Sequence, residues 1–443
     1  MKKRNKKPLF IDLFAGCGGL SLGLEQAGFV PILVNELNKD AMDTYLLNRS
    51  DYPWLKKNNY YDVKELINDT KAAPKKLNPL FKDMEKEFNI SFENGDLDLL
   101  VGGPPCQGYS GIGHRRSYGV DRERIPANTL YQDMAQLIIR FKPKIFLFEN
   151  VKGLTWAKWT KDGEKGEIWR DIQETFRGNR EKFSFLKNYQ VEPALIHARD
   201  YGVPQNRPRV FIVGVRKDHL ESVKENINSP VANGFLPDPF FSEPPPNIID
   251  ILGDLVDAKY KPGSGGKTEF YPKSFQSDWQ KKLRTKKNGK IFKKGDQLSE
   301  QDHSKNSEKV WKRWEYVLEK DGIIPEDDND PRMYTTKKFS QRLLPKKWGN
   351  SKPNITVCGQ PEDYIHFSQP RSITVREWAR LQTFPDWYEF SGARTTGGIR
   401  RAGNPREGNF DREVPKYTQI GNAVPVHLAE EFGKYFRTVF LKN

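Results

Sequence analysis

The chain has 443 residues, of which 36% are hydrophobic and 30% charged, with a formal net charge of +15. That length can hold a large core and a second, smaller unit. No apolar run reaches the ~18 residues a membrane-spanning helix needs, and three cysteines without a CxxC pair argue against a disulfide scaffold or a zinc site and fit a reducing compartment.

The basic start, Met1-Lys-Lys-Arg-Asn-Lys-Lys-Pro8, precedes an apolar stretch as a secretion signal does. Asp12, Gly16, Gly18 and Gly19 interrupt that stretch, so a mature start is expected. Residues 9–14, Leu-Phe-Ile-Asp-Leu-Phe, read as a buried strand. A glycine turn follows at 16–19, then a helix over 20–27 ended by Gly28, then a second strand over 29–34. Glycines between strand and helix let the backbone approach a ligand, and the helix N-terminus offers free N–H groups. Glu36 ends the second strand, 18 residues after Gly18, where a carboxylate can accept both hydroxyls of a ribose. A dinucleotide, S-adenosylmethionine or a purely structural turn all fit. Ser21 stands where the third glycine of GxGxxG belongs, which favours S-adenosylmethionine.

A strand over 97–101 is stopped by Gly102-Gly-Pro-Pro105, and Cys106 follows. Such a loop lies on the ligand-bearing edge of a parallel sheet. Its cysteine is either an exposed nucleophile on a stiffened loop or a small residue buried in a tight turn. Helical spacing over 130–141 leads through Pro143 to a strand over 145–148, which Glu149 closes. A carboxyl group emerging from apolar surroundings keeps its proton and suits a general acid; an exposed strand-end glutamate is the alternative. Gln205-Asn-Arg-Pro-Arg209 precedes a strand over 210–215. Arg207 and Arg209 alternate, and they can grip a phosphate or base oxygen or form structural salt bridges. Strands alternating with helical stretches imply an α/β protein with a parallel sheet covered on both faces.

Composition changes near Lys217. Five prolines in 237–246 read as an extended connector. Residues 259–313 then carry 16 Lys or Arg against 6 Asp or Glu, interleaved with Tyr260, Phe270, Tyr271, Phe275, Trp279, Phe292, Trp311 and Trp314. Phosphate backbones attract such a surface; a solvated basic face or a partly unstructured loop is the alternative. Regular order is expected again near Ile355. A helix over 374–381 opens on a capping box of Thr374 and Glu377. A loop rich in Gly and Arg follows over 391–409, and the last helix spans 426–440.

Six blocks stand in order: Asp12-Leu-Phe-Ala-Gly-Cys-Gly-Gly19, Gly103-Pro-Pro-Cys-Gln-Gly108, Glu149-Asn-Val151, Gln205-Asn-Arg-Pro-Arg209, Arg376-Glu-Trp-Ala-Arg-Leu-Gln-Thr-Phe-Pro385 and Gln419-Ile-Gly-Asn-Ala-Val-Pro425. Together they resemble the cytosine-C5 DNA methyltransferase family of bacterial restriction–modification systems, over most of 8–215 and 366–440. The resemblance implies a Rossmann-like, mostly parallel sheet that binds S-adenosylmethionine. It implies a catalytic and cofactor domain over 1–215, completed by 416–443. A basic target recognition domain with a hinge segment would occupy 216–415, its variable part being 216–365.

The same resemblance implies residue roles. Cys106 would attack cytosine C6, and Glu149 would donate a proton or hydrogen bond at N3, with Asn150 fixing it. Arg209 would contact the cytosine O2, and Arg207 would support the loop or a nearby phosphate. Phe14, Gly16, Cys17, Gly18, Glu36 and Leu37 would surround the cofactor, joined by Pro105 and Asn422, with Asp62 and Val63 as the adenine-contacting pair. Residues 107–124 would close behind a cytosine flipped out of the duplex. Residues 65–94 are longer than the family's pattern, and 391–409 look like an insertion. The tRNA-modifying branch of the fold carries a Cys-Phe-Thr element where Cys358 sits in Val-Cys-Gly-Gln, so double-stranded DNA is the expected substrate. A cognate restriction endonuclease, a monomeric state and a cytoplasmic location are expected, with no metal and no membrane partner.

Overall fold

In the first strand, β1 (Leu9–Leu13), every residue is buried. A continuous apolar run of this kind belongs to a strand covered on both faces of its sheet. The computed structural model describes residues 7–71, 79–105, 126–223, 234–239, 245–324, 330–333, 341–349, 352–359, 361–396 and 413–441. After β1 come α1 (Gly19–Gln26), β2 (Val30–Asn35), α2 (Lys39–Leu47), β3 (Asn59–Tyr60), α3 (Val63–Lys71), α4 (Pro79–Phe88), β4 (Leu99–Gly102), α5 (Leu130–Phe141), β5 (Ile145–Val151), α6 (Glu167–Phe176), β6 (Tyr189–His197), β7 (Pro208–Arg216) and α7 (Lys217–Ser222).

The strands form one seven-stranded sheet in the order β3-β2-β1-β4-β5-β7-β6. The pairs from β3 to β5 are parallel, whereas β7 is antiparallel to both β5 and β6. The expected parallel sheet therefore holds except at β7. The chain turns from β6 to β7 through 198–207 without a crossover helix, so the two strands pair antiparallel. Helices α3 to α6 cover one face, with Leu66, Phe81, Met134, Ile138 and Ile172 in the core. On the other face lie Leu20 and Leu24 of α1 and Leu428, Phe432 and Phe436 from the end of the chain.

The part after residue 245 contains α8 (Ile248–Leu252), α9 (Asp278–Arg284), α10 (Glu308–Glu319), the short pair β8 (Arg342–Leu343) and β9 (Tyr364–Ile365), and α11 (Val375–Leu381). Order resumes well before Ile355, opening on a capping box between Asn247 and Asp250. Some of the basic and aromatic residues of 259–313 are structural. Arg284 is fully buried against Asp254, with its guanidinium over the Tyr271 ring, and Tyr271 and Trp314 are themselves buried. Short helices joined by isolated bridges leave a periodicity too weak to read.

Helix α11 is buried throughout and opens on the expected capping box of Thr374 and Glu377. Its residues share a core with Ile248, Ile251, Leu283, Tyr388 and, from the first segment of the chain, Cys17 and Leu22. Helices α12 (Lys416–Asn422) and α13 (Val426–Val439) bring the chain back to the sheet. A Cβ on Gly23 of α1 would lie 2.3 Å from the Val426 carbonyl oxygen, so the two helices approach as closely as only glycine permits. Among the described residues no helix is long and apolar enough to cross a membrane.

Candidate active site

The carboxyl ends of the parallel strands form one edge. Strand order reverses direction between β1 and β4, and ligands of open α/β sheets bind in the crevice at such a switch point. The glycine turn follows β1, and Gly103 to Pro105 follow β4, so these two segments flank the crevice. Leu13 is in register with Gly102, and Gly102 with Phe148, which brings Glu149 alongside the second of them. Cys106 and 107–124 lie outside the described residues; Pro105, the last described residue before them, is exposed.

Glu149 sits one residue beyond that register, largely buried. Arg209, reaching across from β7, places its Nε 3.0 Å from Glu149 Oε1. Burial pushes the Glu149 carboxyl above its ordinary range, while the Arg209 and Arg207 guanidiniums pull the other way. The net shift is upward, as a proton donor requires. A Cβ on Gly103 would stand 3.0 Å from Glu149 Oε2, so the loop leading to Cys106 passes directly over the carboxyl group. Asn150 Nδ2 donates to the Pro104 carbonyl at 3.0 Å, and Asn150 Oδ1 accepts from Val151 N at 2.8 Å. Asn150 thus ties the cysteine-bearing loop to the strand that carries Glu149.

Arg207 does not face the crevice beside Arg209. It is buried, with Nη1 donating to Val357 O and Nη2 to Gly421 O and Asn422 O. Two-residue alternation aligns side chains only within a regular strand. β7 starts at Pro208, so Arg207 lies just outside it.

At the glycine turn, Phe14 adopts φ +56°, a left-handed conformation rare for a bulky residue, and Gly16 and Gly18 are left-handed as well. A Cβ on Gly16 would meet nothing within 4 Å, leaving an open approach to the backbone. Glu36 Oε2 accepts from Gly16 N and Oε1 from Asn38 N, both at 2.8 Å. Burial raises the Glu36 pKa, against these two amide bonds. Each carboxylate oxygen keeps acceptor capacity for a hydroxyl. Leu37 is 74% exposed beside it. Asp62 follows β3, the strand paired with β2, and its Oδ1 accepts from Lys64 N at the start of α3; Val63 is buried in the core. The Cys17 side chain lies inside the core, where its thiol donates to the Gln419 carbonyl and burial pushes its pKa up to about 12. Asn422 ends α12 with an exposed side chain.

Two residues that hold the turn gave no sequence signal. Arg49 Nη2 donates to Gly18 O at 3.1 Å, and Tyr388 Oη donates to Cys17 O at 2.5 Å, while Arg49 also bonds Glu25 and Tyr388. Neither residue stands in a recognisable motif; their roles come from contacts far apart in the chain.

The chain matches the model of the C-5 cytosine-specific DNA methylase family over residues 9–437. It is 29% identical to the type II methyltransferase M.DdeI of Desulfomicrobium norvegicum, covering 98% of this chain and 90% of that protein. It is 30% identical to the type II methyltransferase M.BspRI of Lysinibacillus sphaericus, covering 98% and 83%. A crystal structure described as that of a DNA modification methyltransferase encoded within an E. coli prophage aligns with a TM-score of 0.60 at 23% identity, over 98% of this chain and all of that one. That likeness is one of fold. The match spans nearly every described element, from β1 to α13, and the chain belongs to the C-5 cytosine-specific DNA methylase family.

Proposed function

We propose that this enzyme methylates C5 of one cytosine within a specific duplex DNA sequence through a covalent Cys106–C6 adduct, as the modification component of a restriction–modification system. The observation that carries the proposal is the Arg209–Glu149 pair, largely buried, under the loop that leads to Cys106. The type II methyltransferases among its relatives support the restriction–modification context and a cognate endonuclease acting on the same site. Residues 1–215 with 416–443 form the catalytic unit in this reading, and 216–415 the target recognition unit with its hinge. The enzyme acts as a monomer in the cytoplasm.

The residues at the crevice fit S-adenosylmethionine, the methyl donor used by enzymes of this kind. The open face of Gly16, the Glu36 carboxylate, exposed Leu37 and Asn422, and Asp62 at the neighbouring strand end would hold it, with Phe14, Gly18, Pro105, Val63 and the Cys17 backbone around them. Bound there, it supplies an electrophilic methyl group on sulfonium sulfur.

The chain's own residues do the rest. The Cys106 thiolate adds to cytosine C6, forming the C–S bond. Glu149 delivers a proton or a short hydrogen bond at N3, so the ring's electron pair is driven towards C5. Arg209 holds the O2 oxygen and keeps the Glu149 side chain in place. After methyl transfer, loss of the C5 proton to a base returns an electron pair to the ring and expels the thiolate, and N3 gives its proton back to Glu149, regenerating the enzyme. Flipping the base costs a few kcal/mol, offset by contacts in the site and on the basic surface of the recognition unit.

Bisulfite sequencing of DNA from cells expressing the chain tests the reaction and reads its sequence context. Conversion-resistant cytosines in a recurring sequence are expected, and Cys106→Ser should abolish them while DNA and cofactor binding persist. Full methylation by Cys106→Ser would overturn the covalent mechanism.

A further inference from the structure

The segment that leads into β7 is stitched to the chain returning from the recognition unit. Asn206 N donates to Ile355 O at 2.7 Å, Thr356 Oγ1 to Asn206 O at 2.6 Å, and Val357 N to Gln205 Oε1 at 3.1 Å. Gln205 Nε2 donates in turn to Leu381 O at 3.0 Å and Gln382 Oε1 at 2.6 Å. Arg207 completes the seam. At 1% exposure, it donates to Val357 O at 2.9 Å, Gly421 O at 2.8 Å and Asn422 O at 3.1 Å. Two residues further on, Arg209 meets Glu149.

A guanidinium is a planar fork of donors, so one arginine can bind carbonyls from separate segments at fixed angles; a lysine ammonium cannot. Here the fork joins the returning chain at 357 to the end of α12 at 421–422, with its base on the residue just before the strand that carries Arg209. Both Nη atoms are committed to backbone carbonyls, and Nε, which has no hydrogen-bond partner among the described residues, is itself buried, which leaves no route to a phosphate outside. We propose that Arg207 is a positioning residue, not a DNA ligand: together with Gln205 it fixes the Arg209–Glu149 pair and the Asn422 side chain relative to the recognition unit. This inference rests on the catalytic reading of Glu149 and Arg209 given above.

The test compares Arg207→Lys, Arg207→Gln and Thr356→Val with the parent enzyme and with Glu149→Gln. Three quantities are read on folded protein: kcat, the Kd for S-adenosylmethionine, and the salt dependence of DNA binding. Small misplacement of reacting groups can cost about 100-fold in rate. Arg207→Lys is expected to lower kcat by roughly 10- to 100-fold on that scale. It should also weaken cofactor binding, through Asn422. A lysine can keep a phosphate contact, so the salt dependence is read on Arg207→Gln: a lost phosphate contact would reduce the slope of log affinity against log salt by about one, whereas the seam predicts an unchanged slope. Thr356→Val removes a single hydroxyl bond of the seam, and its kcat should fall several-fold at an unchanged slope.

A reduced salt slope in Arg207→Gln overturns the proposal, as does parental kcat in both Arg207→Lys and Thr356→Val. If Arg207→Lys does not fold, Thr356→Val decides: lowered kcat supports the seam and parental kcat refutes it. Parental turnover by Glu149→Gln would instead sink the catalytic reading itself, whatever Arg207 does.

Discussion

Glu149 and Arg209 face each other across the β5–β7 pair, Oε1 to Nε at 3.0 Å, both largely buried. Burial raises the carboxyl pKa and the guanidinium lowers it. A general acid must hold its proton, so activity falls as pH rises through the Glu149 pKa. Removing the cation removes the lowering influence, and the pKa rises further. Arg209→Gln should therefore shift the alkaline limb of the kcat/KM profile to higher pH, besides slowing the reaction through the lost base contact. A pH–rate profile of both enzymes checks this. A limb that stays in place or moves to lower pH would remove Glu149 as the titrating acid.

Gly103 passes close to that carboxyl group. An added Cβ would stand 3.0 Å from Glu149 Oε2, tighter than ordinary contact. Its φ is not in the left-handed region, so alanine brings no backbone strain. Gly103→Ala should displace the carboxylate by a few tenths of an ångström and lower kcat about ten-fold. Melting should change little. Parental kcat would mean that the loop does not govern the acid's position.

Much of this arrangement was legible in the sequence. Helix α5 spans Leu130–Phe141 as its periodicity predicts, because a strongly amphipathic run is bounded by Thr129 and Pro143. The positions of Glu36 and Glu149 near the sheet edge were readable because each follows an apolar run, and strand ends are where an α/β sheet places its ligands; β5 itself runs two residues past Glu149, to Val151. Strand β6 was not readable. It is an edge strand that contains Pro193 and has exposed Leu195, so it shows neither an apolar run nor clean alternation. Arg207 was misleading for a related reason: its two-residue spacing from Arg209 crosses the start of β7. Arg49 and Tyr388 meet 339 residues apart, a separation no local pattern encodes.

Tyr388 and Arg49 each hold one carbonyl of the glycine turn. Tyr388→Phe deletes the hydroxyl that binds Cys17 O and keeps the ring in its core. A net hydrogen bond contributes about 1 kcal/mol. If that energy goes into shaping the turn, the Kd for S-adenosylmethionine should rise roughly five-fold, with kcat at saturation close to the parent's. Isothermal titration checks it. An unchanged Kd would show that Arg49 alone suffices.

Asp12 lies in β1 beneath the same turn, where burial lifts its pKa from 3.8 to about 7 despite the bond it accepts from Ser21 Oγ at 2.5 Å. The folded protein therefore keeps a proton that the unfolded chain releases near pH 4. The stability this contributes is complete below that pH and is lost as pH rises towards 7. A shift of about three units corresponds to an upper limit of about 4 kcal/mol. Asparagine can still accept from Ser21 and never ionises. Asp12→Asn should thus gain on the parent between about pH 4 and pH 7 in thermal melts and level off above that. Parallel curves over that range would mean that Asp12 titrates as it does in the unfolded chain, and that the network of Asp12, Ser21 and Tyr45 under the turn holds a carboxylate, not a carboxylic acid.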